Sequence, residues 1–466
     1  MSEAYRIFTG GRVVLDDAVV ETDIVTRGGR IIALGAFDAS GAPVERIALD
    51  GLVVMPGGVD PHLHLGHGND IARPREPADA ARETAAAAVG GITTFIPYLM
   101  ATDPFETLFD EVRAVTQAGA RIDFGYHFII STEAQLAGVP AYVRDHGVPS
   151  FKIFMNNRGG EGARLGLPDL DDGFLFRLCE AAAASGGTVC PHPETIEIAW
   201  VLRNREKARD PQGKGGLPVW NASRPDFVEA DAVLRSAYLA RVTGARIYIV
   251  HTSSGEALEA ALQQRRAGSA ISIETCPHYL THDETFARGV VGKINPPLRS
   301  RANCDALWKG IAEGHVDTIG TDHVHRDISG KSPSIWDASP GCPGLETMLP
   351  VMLSEGHHKR GLSLPRIAQL TAANAAQAMG LGGRKGRIAV GHDADFAVVD
   401  PKAEWTLGLE HLQSSAGYSI YEGMRFTGRV THTVLRGDFV MRDHALVEEA
   451  VGRGRYLARD PATTGV

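Results

Sequence analysis

Hydrophobic positions along the chain fall into two textures. Up to about Met55 the apolar residues form short β-branched runs, YRIFTGGRVV, ETDIVTRGGRIIALG and IALDGLVVMP, broken by Gly-Gly and Asp-Gly turns. The same texture returns near the C-terminus in GRIAVGHDADFAVVDP and RVTHTVLRGDFVM. Between them, eight short apolar runs alternate with helix-like stretches rich in Ala, Glu, Arg and Leu. The runs are LVVMPGGVD, GITTFIPYL, DFGYHFII, SFKIFM, GTVCPHPE, RIYIVHTSS, AISIETCPHYL and VDTIGTDHV. The intervening stretches, such as VEADAVLRSAYLARVTG and GEALEAALQQRRAG, end in Gly as helix C-termini do. Runs separated by helices predict parallel strands with crossovers, and eight units are the count of a closed α/β barrel. The expected architecture is α/β: a (β/α)8 TIM barrel over residues 56–379, with a small β-sandwich domain and tail from residues 1–55 and 380–466. A doubly wound open sheet is the alternative that the pattern leaves.

Composition narrows the class without changing the picture. The chain has 466 residues, 44% hydrophobic and 22% charged, enough for a large barrel plus a minor domain. Its net charge of −9 argues against nucleic acid or acidic membranes as partners. Five scattered cysteines without CxxC spacing argue against a disulfide framework. The start, MSEAYRIFTGGRVVLDD, lacks a basic region followed by an apolar one. No apolar stretch is long enough to span a bilayer. The expectation is a cytoplasmic protein.

The chemistry sits where the runs end. The first closes on Asp60-Pro61-His62-Leu63-His64, and residues two apart in an extended segment point the same way. His62 and His64 can therefore present two imidazoles to one ion. The fifth run ends at His192, the sixth at His251 and the eighth at Asp322. A barrel gathers its strand C-termini around one mouth, so four histidines and an aspartate are expected to converge there. Such ligands suit Zn, Mn, Fe or Co at one or two sites. Singly, His192 and His251 read equally well as satisfied buried histidines. Lys152 lies amid the apolar SFKIFM run. A buried ammonium is costly unless paired or modified, so Lys152 either meets an acid or is converted to an anionic carbamate.

GGVDPHLHL, FKIFM, IVHTSSGEAL, ETCPHYL, NPPLR, GTDH and PGLE occur in that order. Together they resemble the cyclic amidase branch of the amidohydrolase superfamily: dihydropyrimidinases, hydantoinases, allantoinases and dihydroorotases. GHDADFAVVDP is similar to that family's closing β segment. The resemblance implies two divalent metal ions, zinc first among them. His62, His64 and Asp322 would hold one, and His192 and His251 the other. Carbamylated Lys152 and a hydroxide would bridge the two ions. The hydroxide would attack a ring carbonyl, and Asp322 would carry its proton to the leaving nitrogen. The partner so implied is a small cyclic amide, a dihydropyrimidine, hydantoin or related ring. A homotetramer or homodimer is also implied.

Three departures bear on the ring. Leu65-Gly66 follows His64 where dihydroorotases place an arginine that holds a substrate carboxylate. Asn157 stands where hydantoinases carry a tyrosine, and Asn295 where the branch has a serine before PPLR. Pro340, which lacks an N–H, replaces an asparagine. The resemblance makes Asn157, Asn295 and His278 the candidate substrate contacts. His67, His323 and His325 are read as supporting or surface groups, and Gly159, Gly160, Gly162 and Gly166 as marking either a gating loop or a plain connector. Allantoinase or dihydroorotase chemistry is the nearest alternative. A non-catalytic dihydropyrimidinase-like scaffold is the alternative from another class, and it conflicts with the retention of all six candidate ligands.

Overall fold

The computed structural model describes residues 4–39 and 41–461. Its centre is a parallel barrel with strands Gly58–Leu63, Ile92–Leu99, Asp123–Phe124 with His127–Ile129, Ser150–Phe154, Thr188–His192, Arg246–Ile249, Ile271–Thr275 and Thr318–Ile319. Each expected run supplies one strand, the third being split in two. The first and last strands meet through a parallel bridge between Leu63 and His323. There the Asp322 N–H donates to the His62 carbonyl (2.8 Å) and the His64 N–H to the His323 carbonyl (2.8 Å). The sheet therefore closes, and the doubly wound alternative falls.

One boundary differs from the pattern. LVVMPGGVD reads as one barrel strand, but Val53–Pro56 pairs with Phe396–Thr406 and Arg12–Val14, and only Gly58 onward enters the barrel. The chain crosses at Gly57, where a Cβ would run into the side chain of Thr93. The helix Glu133–His146 was also not apparent in the pattern, which is interrupted there by an internal Pro140.

The chain ends build two further sheets. Four strands run in the order Arg30–Leu34, Ile24–Arg27, Tyr5–Thr9, Val44–Ala48. A seven-stranded sheet combines Arg12–Val14, Val19–Glu21 and Val53–Pro56 with Phe396–Thr406 and the strands that follow it. Phe8 and Ile24 from the first sheet share one apolar cluster with Val54, Phe396 and Val434 from the second. We propose the division 1–55 plus 380–466 and 56–379 as the two domains, with Lys385 as a tie between them. Its buried ammonium meets Asp123 (2.6 Å) at the start of barrel strand three, and Asp393 (2.9 Å) and Asp395 (2.6 Å) from the small domain. Burial alone lowers the affinity of this amine for its proton, but the three carboxylates hold it above the ordinary lysine range.

The final segment returns to the base of the barrel. The Leu457 N–H donates to Phe124 (2.7 Å) and the Arg459 N–H to Gly147 (2.9 Å). Gly147 caps Glu133–His146 at φ 64°, and a Cβ there would meet Ala458. Only glycine meets both demands without strain. The base is thus covered, which leaves the opposite end of the barrel as its open mouth.

Candidate active site

The mouth brings six of the predicted residues together. His62 is on barrel strand one, with His64 just beyond its end; Lys152 is inside strand four and His192 ends strand five. His251 and Asp322 follow strands six and eight at φ 41° and 46°. A positive φ at a non-glycine residue costs on the order of 1–3 kcal/mol and persists only where the surroundings impose it. Here the surroundings are dense. Asp60 Oδ1 accepts from the N–H groups of His62 and Thr321 (both 3.1 Å), and Thr321 Oγ1 donates to Asp60 Oδ2 (2.5 Å). This clamp fixes the turn that aims Asp322 inward. Burial raises the Asp60 carboxyl to about 6, against the lowering effect of those donors.

Two clusters of donor atoms result. His62 Nε2 lies 3.1 Å from Asp322 Oδ1, and His64 Nε2 lies 3.7 Å from the same oxygen. His192 Nδ1 and His251 Nε2 approach to 2.9 Å. Two donors on one tetrahedral ion at about 2.0–2.1 Å lie roughly 3.3 Å apart, so both groups match the span of a shared small cation. Lys152 stands between them, its Nζ 3.5 Å from His62 Nε2 and 4.5 Å from the centre of the Tyr98 ring. Among the described residues it has no carboxylate partner. Burial lowers this amine to about 8, against the opposite pull of Asp322. Burial would raise the Asp322 carboxyl, but His62, His64 and Lys152 hold it well below the usual range, as an anion.

The residues behind the cluster orient it. His62 Nδ1 is 2.6 Å from Glu274 Oε1, which also accepts the His251 N–H (2.8 Å). Tyr248 donates to the other Glu274 oxygen (2.8 Å). With Nδ1–H donated to this carboxylate, His62 turns the lone pair of Nε2 toward Asp322 and Lys152. Glu194 does the same at His192 Nε2 (2.8 Å), and Arg224 (2.7 Å) neutralises it. Gly320 makes room, since a Cβ there would strike the Glu274 carboxylate and His62. Sequence reading did not single out Glu274. Its one signal was an ionisable group within the buried ISIET strand, the same kind of anomaly that marks Lys152. Glu274→Gln is expected to weaken metal retention by about 10–100-fold, read by competition with a chelator. Unchanged retention would reduce Glu274 to a packing role.

A cavity of ≈ 170 Å³ opens on this cluster, with His64, Lys152, His192, His251 and Asp322 on its wall. Asn157 and Asn295 line it too, with Asn157 Nδ2 and Asn295 Oδ1 buried and without partners. Gly162 packs against the Asn157 amide, leaving no space for a Cβ. Pro340 and Gly341 also line the cavity. His278 is buried against Tyr279 and is not among the lining residues; burial lowers its imidazole to about 3. His67 pairs with Asp79 (3.1 Å) at the surface, and His323 reaches away to Glu83 (2.9 Å). His325 is buried, and neither of its ring nitrogens has a hydrogen-bond partner among the described residues. Gly66 follows Leu65 where the backbone crosses Asp70 so closely that no Cβ fits, which excludes any longer residue at 66.

The chain is 31% identical to a D-hydantoinase of Geobacillus stearothermophilus over 97% of its length and 96% of the relative's. It is 35% identical to an allantoinase of Solibacter usitatus over the whole of both chains. The chain belongs to the amidohydrolase family. The model of that family matches residues 226–440 of this amidohydrolase, which hold barrel strands six to eight with His251 and Asp322. The fold matches a crystal structure of a dihydropyrimidinase from Brevibacillus agri with a TM-score of 0.89 and 28% identity, over 99% of this chain and all of the other.

Proposed function

We propose that this amidohydrolase opens a small cyclic amide by metal-assisted hydrolysis. The observation that carries the reading is the pairing of two cation-sized donor groups with unpartnered amide atoms on one cavity wall. His62, His64 and Asp322 would hold one divalent ion, and His192 and His251 the second. Zinc suits this donor set. Lys152 would join the two as its carbamate. The amine near 8 is partly uncharged at neutral pH, and the uncharged amine is the form that adds carbon dioxide. The ions supply a water-derived nucleophile at neutral pH and polarise the scissile carbonyl.

The chain's own residues supply the remaining steps. Asp322, held as an anion, accepts the proton of the attacking water and delivers it to the ring nitrogen that leaves. Asn157 offers an N–H for the developing oxyanion, in the role that the absent tyrosine has in hydantoinases. Asn295 offers an oxygen to a ring N–H. The two together match the donor and acceptor edge of a cyclic amide. His278 serves behind the cluster rather than at the ring. Its five cysteines are all buried and free, and no helix among the described residues is long and apolar enough to cross a membrane. The unpaired cysteines support a cytoplasmic enzyme, which we take to be a homotetramer or homodimer.

Metal-replete protein is expected to carry close to two transition-metal ions per chain. It should hydrolyse at least one ring among dihydrouracil, hydantoins, dihydroorotate, allantoin and cyclic imides. Protein that holds no metal and opens none of them would overturn the reading. The similarity to allantoinases makes allantoin the first alternative ring.

A further inference from the structure

The cavity wall carries a charge opposite to that of the whole protein. Seven Lys and Arg side chains line it against two carboxylates, Glu161 and Asp322, although the chain's net charge is −9. Some of that excess is accounted for. Lys152 belongs to the metal cluster, Arg203 pairs with Glu161 (2.6 Å) and Arg224 with Glu194 (2.7 Å). Lys207 is exposed at the edge, over the Trp336 ring.

Three cations are left without a carboxylate partner among the described residues. Lys293 is 2% exposed; its Nζ sits 4.2 Å from the centre of the Trp220 ring and donates to the Trp336 carbonyl (3.3 Å). Arg326 is half-buried and donates to the carbonyls of Asn69 (3.1 Å) and Pro340 (3.5 Å). Arg164 is exposed, has no hydrogen-bond or ion-pair partner among the described residues, and lines the cavity from the short helix Glu161–Leu165. An ammonium taken out of water without a counter-charge is expensive, and two further cations beside it raise the cost. A ligand that brings a negative charge removes that cost, whereas a neutral ring leaves it in place.

We propose that the preferred ring bears a carboxylate on a short arm, and that Lys293, Arg326 and Arg164 select it. This rests on the hydrolase reading and adds the substrate's charge. A carboxylate suits the site because guanidinium forks match a planar pair of oxygens. The ring then lies toward the cluster and the arm toward Trp220 and Arg326. Lys293 is mutually repelled by Arg164, Arg224 and Lys331, with only Asp337 opposing, and burial with these charges brings it to about 7. Arg164 acts on Arg326 in the same direction. Arg164 thus acts on both of the others, and all three side chains line the same cavity.

The test compares 5-(2-carboxyethyl)hydantoin with its neutral amide, 5-(2-carbamoylethyl)hydantoin, on the metal-loaded enzyme. The acid is expected to exceed the amide at least tenfold in kcat/KM at low salt, with the ratio shrinking as salt rises. Arg326→Gln and Lys293→Met should each pull the acid-to-amide ratio toward one, through KM. Lys293 is charged below about 7 and loses its charge above it. The KM for the acid relative to the amide should therefore rise with pH through that region, and Lys293→Met should flatten the rise. A wild-type ratio near one, or a ratio unchanged in both variants, would overturn the proposal. If neither ring is opened, the wider ring panel decides the hydrolase reading separately, and calorimetric binding decides the pocket. Tighter binding of the acid keeps the anion site; equal or absent binding of both removes it.

Discussion

Lys152→Ala is expected to release both metal ions and to lower kcat/KM by at least about 10³-fold, the range associated with losing a nucleophile's activation and its electrostatic support. The reason is positional. Lys152 lines the cavity 3.5 Å from His62, and its charge acts on both His192 and His251. Without its anionic form, four imidazoles and one carboxylate would have to balance two divalent charges. Metal content measured beside activity separates this from misfolding, since the substitution removes a costly buried amine. The space left by the side chain lies open to the cavity. Added formate or acetate should therefore restore part of both metal content and activity if a carboxylate is what the site lacks. A variant that keeps two ions and full activity would remove Lys152 from the mechanism.

Asp322→Asn should lower kcat by about 10²–10⁴-fold, the usual contribution of a positioned proton carrier. Asparagine is the informative replacement. Asp322 has φ 46°, a conformation that Asn tolerates far better than Ala. The amide oxygen can still face His62 and His64, but it cannot accept a proton at neutral pH. Metal content is expected to fall less than in Lys152→Ala. Measurement of kcat at saturating substrate and of bound metal in the same sample distinguishes a lost base from a lost ligand. A kcat within tenfold of the wild type would show that another group carries the proton.

Both residues stood out in the sequence because each breaks a local rule. Lys152 interrupts an apolar strand, and Asp322 ends one beside Gly320 and Thr321. His62 and His64 were readable for a similar reason: the two-residue period of an extended chain places both rings on one side. Glu274 breaks the same rule yet was passed over. Its meaning lies in His62, 212 positions away, and no local pattern reports that pairing. His278 shows the opposite case. Its motif suggested a cavity residue, but the ring packs against Tyr279, outside the cavity lining.

The division between sequence and tertiary structure follows the range of the forces involved. Periodicity and turn chemistry act over a few residues. They were enough to predict eight barrel strands, the β texture of both ends and the strand-end positions of four histidines and Asp322. The cation excess on the cavity wall was beyond them. Arg164, Lys293 and Arg326 come from separate connections, each polar for ordinary reasons, and only barrel closure makes their charges face one space. The route of the chain at Gly57 was also a tertiary decision. VVMP and GVDPHL are buried alike, and the strand that each finds as a neighbour, Phe396–Thr406 or Ile92–Leu99, assigns one to the sandwich and the other to the barrel.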